Sequence, residues 1–284
     1  MNESPVDGVA SAKKRPSLSD RLLHHNLSLK AQGIPPRGIL LAAAAVGGGV
    51  LVLLLGLVIG GRAGAFWFGR GSPVFAFPFS IQALMHVLFV IGLAELFVRS
   101  RVAQWETAFL SDNLLPEDDA TVLQIRDLGA IRRRVANAFD GDSGFLPSLI
   151  DLVILRLQTS QSVDQAATVL NASLELFGQR VDLRYQLVRY LMWVIPTVGF
   201  IGTVVGIAAA LQFVDPDRLD LKTVTASLSV AFDTTVIALI WSAILVLFQH
   251  VVQKKEEMAL NQTGHYCLNN LINRIYIDPA SDRG

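Results

Sequence analysis

Pro196-Thr197-Val198-Gly199-Phe200-Ile201-Gly202-Thr203-Val204-Val205-Gly206-Ile207 is the stretch on which the reading of this 284-residue chain turns. It lies in a charge-free run between Arg189 and Asp215. At 1.5 Å per helical residue, a run of that length crosses a bilayer core of about 30 Å. Pro196, Gly199, Thr203 and Gly206 are three, four and three residues apart, so a helix sets them in one stripe. Pro196 lacks an N–H, frees a backbone carbonyl and kinks a helix. Gly202 and Gly206 form a small-xxx-small pair that lets a neighbouring helix approach closely. Thr203 puts a hydroxyl on that narrow face. Two readings stay open from the stripe alone: a packing surface whose threonine bonds its own i−4 carbonyl, or one wall of a wet path.

Downstream, a second apolar run covers residues 223–250, with Asp233 its only charged residue. Leu228, Ala231, Thr235, Ala238 and Ser242 make a stripe of mostly small or hydroxylated side chains on it. The connection Asp215-Pro216-Asp217-Arg218-Leu219-Asp220 is short, which predicts an antiparallel helical hairpin. Two hydroxyl-bearing faces on such a hairpin can serve water or an ion without the cost of a buried charge. Thr203, Thr235 and Ser242 are therefore the candidate ion-pathway residues, with Pro196, Gly199, Gly202 and Gly206 as packing and kink positions. Asp233 joins the candidates because an ionisable group inside a span is costly to bury. It lies about 160° round the helix from Thr235. A structural aspartate bonded to Ser229, Thr234 or a neighbouring subunit remains the equal alternative.

Outward from this hairpin, composition sets the class. Hydrophobic residues make up 52% of the chain and charged residues 17%, where a soluble globular chain is about one quarter charged. Mean hydropathy is +0.46. Two further apolar spans precede the hairpin, at 38–61 and about 80–97. The first carries Gly47-Gly48-Gly49, Gly56, Gly60 and Gly61, read as packing surface inside a bilayer. Between the two lies a short loop whose Phe66, Trp67 and Phe68 suit a membrane–water interface. The second span holds His86, read as a packed polar residue, and Glu95, expected to snorkel to the interface.

The fold class expected is an all-α integral membrane protein. It has four transmembrane helices, with a helical cytoplasmic domain between the second and third. Its segments are a basic N-terminal part (1–37), a first hairpin (38–98), the helical domain (99–189), a second hairpin (190–252) and a polar tail (253–284). Within the domain, Val122-Leu123-Ile125-Leu128-Ile131 and Leu146-Leu149-Ile150-Leu152-Val153-Leu155-Leu157 have helical spacing, and Asp140-Gly141-Asp142-Ser143-Gly144 reads as a turn. Basic residues gather before the first span (Lys13, Lys14, Arg15, Arg21, Lys30, Arg37), after the second (Arg99, Arg101, Arg132-Arg133-Arg134) and after the fourth (Lys254, Lys255). The other two loops hold only Arg62, Arg70, Arg218 and Lys222. The positive-inside rule then puts both termini and the domain in the cytoplasm. The polar first thirty residues do not read as a signal peptide.

Several classes have no support. Net charge is zero and Cys267 is the only cysteine, which gives no argument for nucleic-acid binding, an internal disulfide or a Cys/His metal site. No Ser/His/Asp, Cys/His, P-loop or Rossmann pattern appears, so no catalytic residue and no cofactor is expected. Internal repeats and discontinuous spans, which would suit a secondary transporter, are missing. The runs Arg132-Arg133-Arg134 and Glu117-Asp118-Asp119 read as solvated faces.

Pro196-x-x-Gly199-x-x-Gly202-Thr203-Val204-x-Gly206-Ile207 resembles the Pro-x-x-Gly-x-x-Gly-Thr-Val-x-Gly-Ile signature of the MotA/TolQ/ExbB proton channel (stator) family. Ala231-Phe232-Asp233-Thr234-Thr235-Val236-Ile237-Ala238-Leu239 is similar to that family's Ala-Leu-x-Ala-Thr-Ala-x-Gly-Leu segment. The resemblance implies that Thr203 and Thr235 are the family's two pore threonines, with Thr234 where the family usually has alanine. It also implies a homo-oligomer in the bacterial inner membrane, typically a pentamer. Such a ring surrounds a single-span ExbD/TolR/MotB-like partner whose membrane aspartate carries a proton or sodium ion. Ion flow would drive rotation or mechanical work in a partner attached to the cell wall or outer membrane, and membrane lipid would surround the ring. Two spans before the cytoplasmic domain are like the MotA branch, while the hairpin signature is closer to TolQ and ExbB. The late proline of several members is missing near Trp241, Ser242 and Ile244, and Asp233 is an addition to the motif. A non-conducting membrane scaffold that keeps the hairpin is the alternative.

Overall fold

The computed structural model describes residues 37–70, 77–118, 121–138, 144–214 and 221–276. The basic residues before Arg37, the Asp140–Ser143 part of the expected turn and the connection 215–220 lie outside them. Among the described residues, eight α-helices follow in chain order: α1 (Arg37–Val58), α2 (Gly61–Phe68), α3 (Ile81–Ala108), α4 (Ile125–Ala138), α5 (Phe145–Ser160), α6 (Val163–Arg184), α7 (Gln186–Gln212) and α8 (Leu221–Asn270). Four helical stretches among the described residues are long and apolar enough to cross a membrane: α1, α3, the α6–α7 run and α8. The chain is thus a multi-pass helical membrane protein.

Local chemistry explains the element ends. Ser80 begins α3: its hydroxyl accepts from the Ala83 N–H at 3.1 Å and donates to the Phe68 carbonyl at 2.7 Å. It therefore caps one helix and ties it to the end of the preceding one. The segment read as a loop after the first span contains α2, which ends on Gly69 with φ +66°, a left-handed position suited to glycine. α1 buries only Gly48, Val52 and Gly56, a single stripe against α3. A Cβ on Gly48 would lie 3.0 Å from a methyl of Val90. Its remaining apolar side chains, such as Leu54 and Leu57, point outward, as expected of a helix in lipid or against another subunit.

Two helices outrun the bilayer. α6 and α7 are separated only by Tyr185, so the chain passes from the polar region into the apolar span almost without a break. α8 has 50 residues, about 75 Å at the standard rise. The stretch from 253, read as a polar tail, continues this helix to Asn270. There Glu256, Ala259, Leu260, Thr263, Gly264 and Cys267 face inward. α8 packs on α3, α5, α6 and α7.

The polar end is a helical bundle whose apolar core is continuous with that of the spans. Leu128, Ile131 and Val135 of α4 meet Leu146, Leu149, Ile150, Val153 and Leu157 of α5 and Phe177 and Val181 of α6. Val122, Leu152 and Leu155, placed in the expected apolar stripes, are exposed. A two-residue parallel pairing, Leu123 with Ile275 and Gln124 with Tyr276, fastens the far end of the chain. Arg274 adds bonds to the carbonyls of Pro116 and Glu117, each at 3.2 Å.

Between the apolar spans and this bundle lies a buried ionic layer. Glu95 is fully buried, which corrects the expectation that it snorkels; it accepts from Arg37 Nη2 at 2.9 Å and Arg99 Nε at 3.0 Å. Glu256, also fully buried, pairs with Arg184 and accepts from the Tyr185 hydroxyl at 2.8 Å. Glu106 accepts from the Phe145 N–H at 2.8 Å, at the start of α5, where a carboxylate suits the positive end of a helix. Removing one partner of a buried ion pair leaves a desolvated charge and costs about 3–5 kcal/mol. Glu95→Ala, which strands buried Arg99, is expected to lower the thermal midpoint of the purified protein sharply in detergent. An unchanged midpoint would mean that water reaches Arg99.

Candidate functional site

The tightest contact between spans is made by α7 and α8. Gly199, Gly202 and Gly206 of α7 are buried and meet Ala238, Thr234 and Ala231 of α8 in that order. Rising positions on α7 against falling positions on α8 mean that the two helices are antiparallel. There is no room for larger residues. A Cβ on Gly202 would lie 2.7 Å from Thr234 Oγ1, one on Gly206 2.7 Å from the Ala231 Cβ, and one on Gly199 would collide with the Ala238 Cβ. The expected stripe is therefore resolved into two parts: glycines at the contact, with Thr203 at its edge.

Pro196 lies inside a continuous α7. Its missing N–H leaves the Met192 carbonyl, four residues earlier, without its helical donor. Ser242 supplies one across the hairpin, its Oγ donating to that carbonyl at 3.0 Å. Proline and serine are thus one feature split over two helices. That gives Ser242 a structural duty that spacing alone did not disclose.

Thr203 and Thr235 are brought together. Their hydroxyl oxygens are in hydrogen-bond contact with each other. Thr203 Oγ1 also lies 3.0 Å from the Ala231 carbonyl and 3.3 Å from the Gly199 carbonyl, and Thr235 Oγ1 lies 3.4 Å from the Gly199 carbonyl. Each hydroxyl has one proton and two lone pairs. One proton serves the hydroxyl–hydroxyl contact and the other a carbonyl, which leaves lone pairs free to accept. Both side chains are only half-buried, so these acceptors reach the outer edge of the hairpin. Thr234 differs: it is buried, donates to the Ala231 carbonyl at 2.7 Å and fills the space over Gly202. Where the family signature has alanine, this chain uses Thr234 to pack the helix contact.

Asp233 does not join the pair. Its carboxylate bonds Ser229 on its own helix, on the side away from Thr235. His86 lies among aromatic rings: it stacks on Phe68 with centroids 5.4 Å apart and meets Trp67 and Trp241 edge-on, in keeping with a packed polar residue. Reasoning from sequence missed the inward role of Glu256. Lys254-Lys255-Glu256-Glu257 read as part of a polar tail, but Val252, Glu256, Ala259, Leu260 and Thr263 share helical spacing. That periodicity was the available signal.

An antiparallel hairpin closed by glycines, with a hydroxyl pair at its edge and a long helix running on into a polar bundle, defines a multi-pass helical membrane protein. Residues 143–263 match the model of the MotA/TolQ/ExbB proton channel family. The match begins beside α5 and runs through most of α8. No curated protein and no solved structure matches the chain.

Two substitutions test the hairpin. Gly206→Val must push Ala231 away, and loss of the ordered helix pair is expected. Ser242→Ala leaves the Met192 carbonyl without its donor, at about 1–3 kcal/mol for a buried orphan, and should lower the thermal midpoint in detergent while leaving helix content unchanged. A midpoint equal to that of the wild type in Ser242→Ala would show that another donor serves Met192.

Proposed function

We propose that this chain is the multi-pass subunit of an ion-driven stator in a bacterial inner membrane. Several copies, five by family resemblance, surround a single-span partner of the ExbD/TolR/MotB kind. A proton or sodium ion moves down its gradient past Thr203 and Thr235 and drives mechanical work in the envelope. The observation that carries this reading is the hydroxyl pair at the half-open edge of the hairpin, inside the segment that matches a proton channel family. Moving one charge through 100 mV releases about 2.3 kcal/mol, enough for work when several ions are used. Both termini and the polar bundle face the cytoplasm, supported by Arg37, Arg99, Arg101 and Lys254 at that end of the spans.

The threonines act by lending lone pairs to a hydrated ion, or to the proton carried by the partner's carboxylate. A hydroxyl does this without the desolvation cost of a fixed charge. Asp233, on the far side of α8 from the pair, is free to face a neighbouring subunit. Bonds from both threonines to backbone carbonyls also favour a second reading, a non-conducting scaffold in which they only fasten the hairpin.

Ion flux into vesicles bearing the co-expressed partner separates the two. Thr203→Val and Thr235→Val keep the shape and remove the hydroxyl. With assembly intact, each is expected to reduce partner-dependent proton or sodium flux by about a hundredfold, equivalent to 2.7 kcal/mol on the barrier. Wild-type protein without flux, or flux unchanged in both variants, would put the scaffold reading first.

A further inference from the structure

Toward the polar end of the same hairpin, α8 and Met192 of α7 border a half-open pocket of about 410 Å³, lined also by Gln249, His250, Gln253, Lys254 and Glu257 among others. Its position relative to the threonines follows from the helix repeat. Thr235, Ser242 and Gln249 are seven residues apart. Seven residues turn a helix to within about 20° of two full turns, so the three lie on one side of α8. Gln249 stands about 21 Å along the axis from Thr235 at the standard rise. Ser242, midway, bridges to Met192, which is itself part of the cavity wall.

The wall of this cavity is built as a polar ladder. Gln249 Nε2 donates to Gln253 Oε1 at 3.1 Å, and Gln253 Nε2 donates to Glu257 Oε1 at 2.8 Å. Gln253 Nε2 also lies 3.4 Å from Asp182 Oδ1, whose second partner is Arg189 at 3.0 Å. Every amide in the ladder passes its donor toward a carboxylate. At the upper end, Gln249 Oε1 is buried and has no donor. A buried carbonyl without a partner is costly, and the cavity has room for several waters that could supply one. The ladder thus leaves an unpartnered acceptor on Gln249, its member nearest the threonines in the chain, and ends on the carboxylates of Glu257 and Asp182, the order that a cation leaving the span would meet. Lys254 beside Glu257 keeps such a site from holding the ion tightly, as conduction requires.

We propose that this cavity is the hydrated mouth of the ion path at the polar end of the hairpin. Gln249 is the positioning residue that takes a hydronium or a hydrated monovalent cation arriving from Thr203 and Thr235. The inference rests on the channel reading above. It adds where the ion leaves the helix pair and which side chains receive it.

The test uses inverted membrane vesicles with the partner co-expressed, in a Cys267→Ala background that removes the one native thiol. Gln249→Cys is expected to react with an impermeant, positively charged methanethiosulfonate, and the reaction to block proton flux. Leu239→Cys, on the outer apolar surface, should not react. Gln249→Leu is expected to lower proton and sodium flux about tenfold with assembly unchanged. Gln249→Cys that stays unlabelled, or that is labelled without loss of flux, would overturn the mouth. Threonine-dependent flux that persists within about twofold in Gln249→Leu would overturn it while leaving the channel reading standing. A wild type with no flux would remove both.

Discussion

Two backbones can lie side by side in lipid only where neither carries bulk, and α7 and α8 meet that condition at Gly199, Gly202 and Gly206 against Ala238, Thr234 and Ala231. In hydrocarbon there is no hydrophobic gain from pairing apolar helices, so close packing and hydrogen bonds between them must hold the pair. The glycines supply the first. They also make possible the second, because only at this short separation do Thr203 and Thr235 reach each other and Ser242 reach the Met192 carbonyl. Closure of the hairpin therefore determines which polar atoms are bonded internally and which remain at its edge.

The second constraint is how the spans are joined to the polar bundle. α6–α7 and α8 cross the boundary as nearly unbroken helices, and a rigid helix carries displacement along its length with little loss. Fully buried Glu95 and Glu256, paired with Arg37, Arg99 and Arg184, fix the helices where they leave the apolar region. Buried ion pairs of this kind add little net stability. They do penalise any sliding of one helix past another that would separate the charges, so they hold the register between the spans and the bundle.

Much of this was legible in the sequence, for identifiable reasons. Apolar runs of about a bilayer's thickness with at most one charged residue are hard to read in any other way, and four spans appeared where the helices lie. The glycine and threonine positions of the last hairpin were visible because small residues at helical spacing have few other uses. Less was visible where function depended on contact between distant positions. Ser242 answers a carbonyl freed by Pro196, 46 residues earlier, and no local pattern connects them. Glu95 was read as snorkelling and Glu256 as part of a polar tail because their partners, Arg99 apart, lie 58 to 72 residues away in the chain. The stretch from 253 was read as a tail because its charges hid an inward stripe that runs from Val252 to Cys267.

The central claim is that the hydroxyls of Thr203 and Thr235, and not their methyl groups, are what the ion uses. Proton flux in Thr203→Ser and Thr235→Ser, each assembled with the partner, tests it most directly. Serine keeps the hydroxyl and deletes the methyl. The account predicts flux within about threefold of the wild type in both variants, together with some loss of thermal stability from the missing methyl. Flux abolished in both serine variants, with assembly intact, would contradict it and make these side chains packing groups of the hairpin.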